Sequence, residues 1–255
     1  MTGQFEACAG DYDALRPEYP AALWDWIDRR FALRPGAEVL DVGAGTGRAT
    51  FPLAERGYRV TAIEPSETMR SRGLERASAF GNRVRFVGGT AEETGRPTAS
   101  ADLIVCAQAF HWVDPARGLP ELARVLVPGG GLAIFWNDRD RERGSVAAEL
   151  EALVSRYNPD YCCEYRDRDW AAIIAAAGRF SPAERQVFLH AVMMDAEALV
   201  GLTRSFSYVR NVLDEPSRAA FEREVRDLVR TLHGEAPFAL KYRSELYAAQ
   251  SLRLW

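Results

Sequence analysis

The nine residues 39–47, VLDVGAGTG, constrain this chain more than any other stretch. Val39, Leu40 and Val42 are apolar and partly β-branched, as in a parallel strand buried on both faces. Asp41 stands within the run, and Gly43, Gly45 and Gly47 follow it. Glycines remove side chains where backbone must turn sharply or meet a ligand closely, so the stretch reads as strand, bare turn and helix. Dinucleotide folds space these glycines G-x-G-x-x-G and seat a pyrophosphate on the helix N-terminus. Here the spacing is G-x-G-x-G, with an acid ahead of it on the strand. A carboxylate in that place repels a pyrophosphate and suits a ligand carrying an amino group and a sulfonium.

Composition narrows the setting. At 255 residues, 47% apolar and 27% charged, the chain suits one α/β unit with an elaboration and has ample material for a core. The net charge of -4 offers no field for a polyanion, so no nucleic-acid partner is expected. Lys241 is the only lysine, which leaves little for Schiff-base chemistry. Cys8, Cys106, Cys162 and Cys163 form no C-x-x-C pair, and no run of eighteen apolar residues occurs. A reduced cytoplasmic setting without membrane or signal peptide is the expectation, and the oligomeric state is left open.

The acid and glycine pattern resembles the first motif of the class I S-adenosylmethionine (SAM) dependent methyltransferases, and later elements follow in the order that resemblance requires. Residues 48–56 read as a helix and 58–63, YRVTAI, as a second strand, with Glu64 at its end, seventeen positions after Gly47. A carboxylate there can accept both hydroxyls of a ribose. Pro65 and Ser66 open a helix, Ser66 as N-cap, and Met69 within it resembles the family residue packed on the adenosine, or is plain core. A third strand, 83–87, leads to Thr90, Ala91 and Glu92, the turn that holds the adenine edge in the family. Thr90 brings a hydroxyl where many relatives place an acid. The resemblance thus implies a cofactor set of Tyr12, Arg16, Asp41, Gly43, Ala44, Gly45, Gly47, Glu64, Pro65, Met69, Thr90, Ala91, Glu92 and Gln108.

A fourth strand, 102–106, runs into Gln108, His111 and Trp112, and the string AQAFHWVD resembles the A-x-x-x-H-W-F/V-D signature of the trans-aconitate methyltransferase-related (type 11) branch. By that resemblance the strand end faces the transferable methyl, which makes His111 a candidate general base; the alternative is a structural histidine beside Trp112. A helix over 116–127 is closed by Pro128, Gly129 and Gly130, and a fifth strand, 132–136, presents Trp136 and Asn137 to substrate. At the other end, residues 11–20, DYDALRPEYP, resemble the branch's cover segment, with Tyr12 and Arg16 closing the site; read plainly they are a proline-bounded surface turn.

Past Asn137 the patterns weaken. The run 138–144, DRDRERG, reads as a solvated charged loop, and no metal site is expected from Asp138 and Asp140. Helices are expected over 145–157 and 169–177, a sixth strand over 186–193, helices over 196–213 and 216–232, and a last antiparallel strand over 238–252. Ser205 and Tyr208 resemble the branch's S-Y-S-Y-V segment and face substrate by that resemblance, or pack as one side of an amphipathic helix.

The fold expectation is therefore a Rossmann-like, doubly wound seven-stranded α/β sheet with an antiparallel last strand and a helical lid insertion. Its parts are an N-terminal cover segment and helix (1–36), a SAM-binding core (37–137) and a helical lid with the last two strands (138–255). The implied activity is methyl transfer from SAM to a small-molecule acceptor, at an oxygen of a carboxylate or hydroxyl, with S-adenosylhomocysteine as product. The alternatives are a C- or N-methyltransferase of a natural product, and a SAM-binding protein without transferase activity.

Overall fold

The computed structural model describes residues 16–161 and 164–252; Tyr12 lies outside the described residues. Helix α1 (Ala21–Arg30) precedes strand β1 (Glu38–Val42), helix α2 (Thr50–Glu55), strand β2 (Arg59–Ile63), helix α3 (Glu67–Ala77) and strands β3 (Val84–Val87) and β4 (Ala101–Ala107). Helix α4 (Pro115–Val125), strand β5 (Leu126–Arg139), helices α5 (Val146–Tyr157) and α6 (Trp170–Ala176) and strand β6 (Glu184–Met194) follow. Helices α7 (Ala196–Arg204), α8 (Ser207–Arg210) and α9 (Glu215–His233) then lead to strand β7 (Phe238–Gln250).

Among the described residues seven strands form one sheet in the order β3-β2-β1-β4-β5-β7-β6. β1 pairs in parallel with β2 and β4, β2 with β3, and β4 with β5. β7 runs against β5: the Gly129 N–H donates to the Ser251 carbonyl at 3.0 Å and the Asp140 N–H to the Lys241 carbonyl at 2.9 Å. The chain reverses its direction of travel between neighbours β1 and β4, the switch point where open α/β sheets bind ligands outside the strand ends.

Two compact units divide the described residues, 19–137, 167–188 and 244–252 in one and 16–18, 138–161, 164–166 and 189–243 in the other. The larger unit has its core on the parallel strands. Leu23, Trp24 and Ile27 on α1 are buried in it, and Trp24, Tyr19 and Phe135 meet edge to face at 4.8–5.7 Å. Helix α1, grouped by sequence with the cover segment, therefore belongs to the core unit. In the smaller unit α9 packs on α5 and α7 around Leu150, Leu199, Phe221 and Val225. Asp195 and Asp214 cap α7 and α9 by accepting from the Ala198 and Ser217 N–H groups.

Several expectations need correction. The helix expected over 196–213 is broken into α7 and α8, because the Ser205 hydroxyl bonds back to the Leu202 carbonyl at 2.7 Å and the chain leaves the helix at Phe206. Pro128 to Gly130 do not separate helix from strand: β5 already begins at Leu126, and its register against β4 shifts between the Ala101–Leu126 and Leu103–Gly131 pairs. The glycines thus lie in a bulge. Asp138 and Arg139 are not a solvated loop either, since β5 carries them on as partly buried strand residues. No described helix is long and apolar enough to cross a membrane.

Candidate functional site

The candidate site is assembled where β1, β2, β4 and β5 end. Register aligns Val42 with Ile63, Ile63 with Val87, and Ala107 with Phe135, so the residues that follow emerge at one edge. The turn after β1 stays on the sheet because the Gly43 and Ala44 N–H groups donate to the Ile63 carbonyl at 2.8 and 3.1 Å. Its glycines have different causes. A Cβ on Gly43 would overlap the Cβ of Ala109, and one on Gly47 would strike the Phe51 ring. At Gly45, φ is +58° and only the Met69 Cε lies near a would-be Cβ, at 3.9 Å, so the backbone there is bare on its outer side.

Two carboxylates hold this turn. Glu64, at the end of β2, accepts from the Gly45 N–H at 2.8 Å and the Ser66 N–H at 2.9 Å, which clamps turn to strand. Burial raises its pKa, and the two N–H bonds act against that rise. Asp41 is fully buried beneath the turn. Its Oδ2 accepts from the Thr50 hydroxyl at 2.6 Å, while Oδ1 has no hydrogen-bond partner among the described residues. Burial pushes the Asp41 pKa from 3.8 up to about 7, the Thr50 bond opposes this, and the Glu64 charge adds to it. Both ionised forms are thus under-compensated. A positively charged ligand beside the turn relieves that, and a pyrophosphate worsens it. The residues fit SAM and not a dinucleotide.

The remaining sequence-derived residues are placed as follows. Met69 is buried on α3, Ser66 caps that helix, and Pro65 is exposed. Thr90 is exposed, and its hydroxyl accepts from the Glu93 N–H at 3.2 Å, closing a local turn; Ala91 is buried. Glu92 accepts from the Asp114 N–H at 2.8 Å and so ties the entry of α4. Gln108 has φ +57° and donates from Nε2 to the Asn137 carbonyl at 3.1 Å, joining the ends of β4 and β5. The Asn137 side chain accepts from the Ser244 hydroxyl at 3.0 Å.

His111 and Trp136 meet. The Trp136 indole N–H donates to His111 Nδ1 at 3.1 Å, and Trp136 is buried and stacked on Trp170 with centroids 4.9 Å apart. Trp112 is half-exposed and its ring lies 4.8 Å from His111. In the smaller unit Arg16 donates from Nη2 to the Ser205 carbonyl at 3.2 Å, and Arg139 donates to the Tyr208 hydroxyl at 3.2 Å. Sequence reading missed Arg139 and the Trp136 to His111 bond. Asp138 is held in ion pairing with Arg166 at 3.2 Å, a structural role.

A family profile described as "Methyltransferase domain" matches residues 40–134, which contain the turn, Glu64 and His111. An uncharacterized methyltransferase of Mycobacterium tuberculosis is 38% identical over 208 residues, covering 82% of this chain and 78% of the relative. The chain belongs to the SAM-dependent methyltransferases. An uncharacterized methyltransferase of Schizosaccharomyces pombe is 28% identical over 230 residues, 89% of this methyltransferase and 88% of the relative. Among solved structures, a protein of Anaeromyxobacter dehalogenans assigned as a type II methyltransferase shares 27% identity and a TM-score of 0.70, covering 94% of this methyltransferase and 99% of that chain. Phosphoethanolamine N-methyltransferase 2 of Haemonchus contortus, solved with SAM, shares the fold at a TM-score of 0.55 and 17% identity, covering 95% of this chain and 56% of that one.

Proposed function

We propose that this methyltransferase acts on a small molecule and methylates an oxygen, a carboxylate in preference to a hydroxyl. The observation that carries this reading is the Trp136 N–H bond to His111 Nδ1, 3.1 Å long. An indole N–H only donates, so Nδ1 supplies the lone pair and the neutral imidazole carries its proton on Nε2. Trp136, buried against Trp170, holds that tautomer. An imidazole in this state donates a hydrogen bond to an acceptor oxygen and does not take a proton from it. A hydroxyl acceptor needs a base; a carboxylate, ionised at neutral pH, needs only to be aligned.

SAM supplies an activated methyl on a good leaving group. Glu64 is proposed to accept its ribose hydroxyls and the bare backbone of Ala44 and Gly45 to pass beneath it, with Asp41 compensating its positive charge. Met69, Pro65, Thr90, Ala91, Glu92 and Gln108 are assigned to the cofactor side, and Trp112, Trp136 and Asn137 to the acceptor side.

The test is transfer from methyl-labelled SAM to benzoate, citrate and phenol. Label is expected in the acids, as an ester that releases methanol in alkali. His111→Ala should lower kcat/KM at least about tenfold, and His111→Gln, which keeps an N–H donor, should lower it less. Label in phenol alone, with a rate that rises through the pKa of a histidine base, contradicts the carboxylate reading.

A further inference from the structure

Among its described residues the smaller unit holds a partly buried cation without an anion beside it. Arg139, at the end of β5, has its guanidinium 4.5 Å over the Phe206 ring and donates from Nη2 to the Tyr208 hydroxyl at 3.2 Å. Its Nε is buried with no hydrogen-bond partner, and no carboxylate among the described residues pairs with it. The ionisable groups nearest to it are the phenols of Tyr208, Tyr242 and Tyr161, which are uncharged at neutral pH. Arg166 in the same unit shows the ordinary solution to burial, pairing with Asp138 at 3.2 Å and Glu151 at 2.8 Å. A buried guanidinium left without a counter-ion is costly, and its Nε edge is half of the planar fork that holds a carboxylate by two parallel bonds.

We propose that Arg139, flanked by Tyr208 and Phe206, is a binding site for the carboxylate of a small molecule. The Nε–H and one Nη2 hydrogen donate to the two oxygens, and the Tyr208 hydroxyl, already against Nη2, donates a third bond. Phe206 and Tyr161, whose rings lie 5.1 and 4.5 Å from that of Tyr208, give the rest of the ligand an apolar, aromatic wall. The ligand chemistry is that of a small carboxylate, and the source of the carboxylate is an outcome of the test.

The test is the Arg139 Nε–H resonance of the full chain, assigned by its loss in Arg139→Met, during titration with acetate, benzoate, the neutral isostere benzamide, and S-adenosylhomocysteine. Acetate or benzoate should move it saturably while benzamide does not, and Arg139→Met should weaken carboxylate binding at least about tenfold without lowering the Tm of the free protein. A shift with S-adenosylhomocysteine that blocks the benzoate response assigns the site to the donor. Benzoate acting with S-adenosylhomocysteine bound assigns it to the acceptor. No shift with any of the three carboxylates overturns the proposal, as does an Arg139→Met protein that loses about 5 °C in Tm and keeps its carboxylate affinity. A chain that ignores S-adenosylhomocysteine but answers benzoate keeps this site and loses the methyl-transfer reading.

Discussion

At the scale of single residues, the most informative group is Asp41, because burial has set its proton affinity near neutrality. Its folded pKa, about 7, lies above the unfolded value, so the stability it contributes is fully present below about pH 4 and is lost as pH rises through about 7. The loss is on the order of 4 kcal/mol at most. Urea unfolding of the free protein at pH 5 and pH 8 should show the slope, and Asp41→Asn should flatten it. SAM affinity should run the opposite way, rising with pH until Asp41 is ionised, because the bound positive charge favours the carboxylate form; an Asp41→Asn protein with the same pH dependence contradicts this. Asp41 was legible in the sequence because an acid inside an apolar strand is conspicuous. The His111 tautomer was not, since it is set by an indole N–H twenty-five residues away. Arg139 was hidden for another reason: in a run of alternating charges nothing marks the one arginine that the strand carries inward.

At the scale of elements, the turn between β1 and α2 separates folding from binding. Gly43→Ala drives a methyl into the Ala109 side chain and strains a φ of +72°, so it should cost about 2–4 kcal/mol of stability, read by urea unfolding. Gly45→Ala meets only the flexible end of Met69; it should fold with a cost of about 1–2 kcal/mol from its φ and lose SAM affinity more than tenfold by calorimetry. Equal loss of stability in both variants, with SAM affinity intact in Gly45→Ala, would remove the ligand from the turn. The strands that build this edge were readable from their apolar runs, and their observed bounds differ by a residue or two. The exception is β5, where Pro128, Gly129 and Gly130 looked like a stop. A bulge absorbs them because Leu126 pairs with Ala101 ahead of the glycines and Gly131 with Leu103 after them. Helices α7 and α8 were read as one, since the break rests on a serine bonding its own helix, which apolar periodicity does not register.

For the whole molecule, the parallel strands and the turns at their ends belong, with α6, to one unit, and helices α5, α7, α8 and α9 belong to another. The first was legible because its motifs occur in a fixed order. The second was not, because its chemistry depends on which polar side chains are buried. The account rests on the first unit gripping SAM through Glu64 at the end of β2. Calorimetric titration of SAM into wild-type protein and into Glu64→Ala tests this most directly. Wild type should bind one SAM per chain, and Glu64→Ala, without acceptors for two ribose hydroxyls, should bind about a hundredfold or more weakly while circular dichroism shows an unchanged fold. Equal affinity in a folded Glu64→Ala protein would contradict the account.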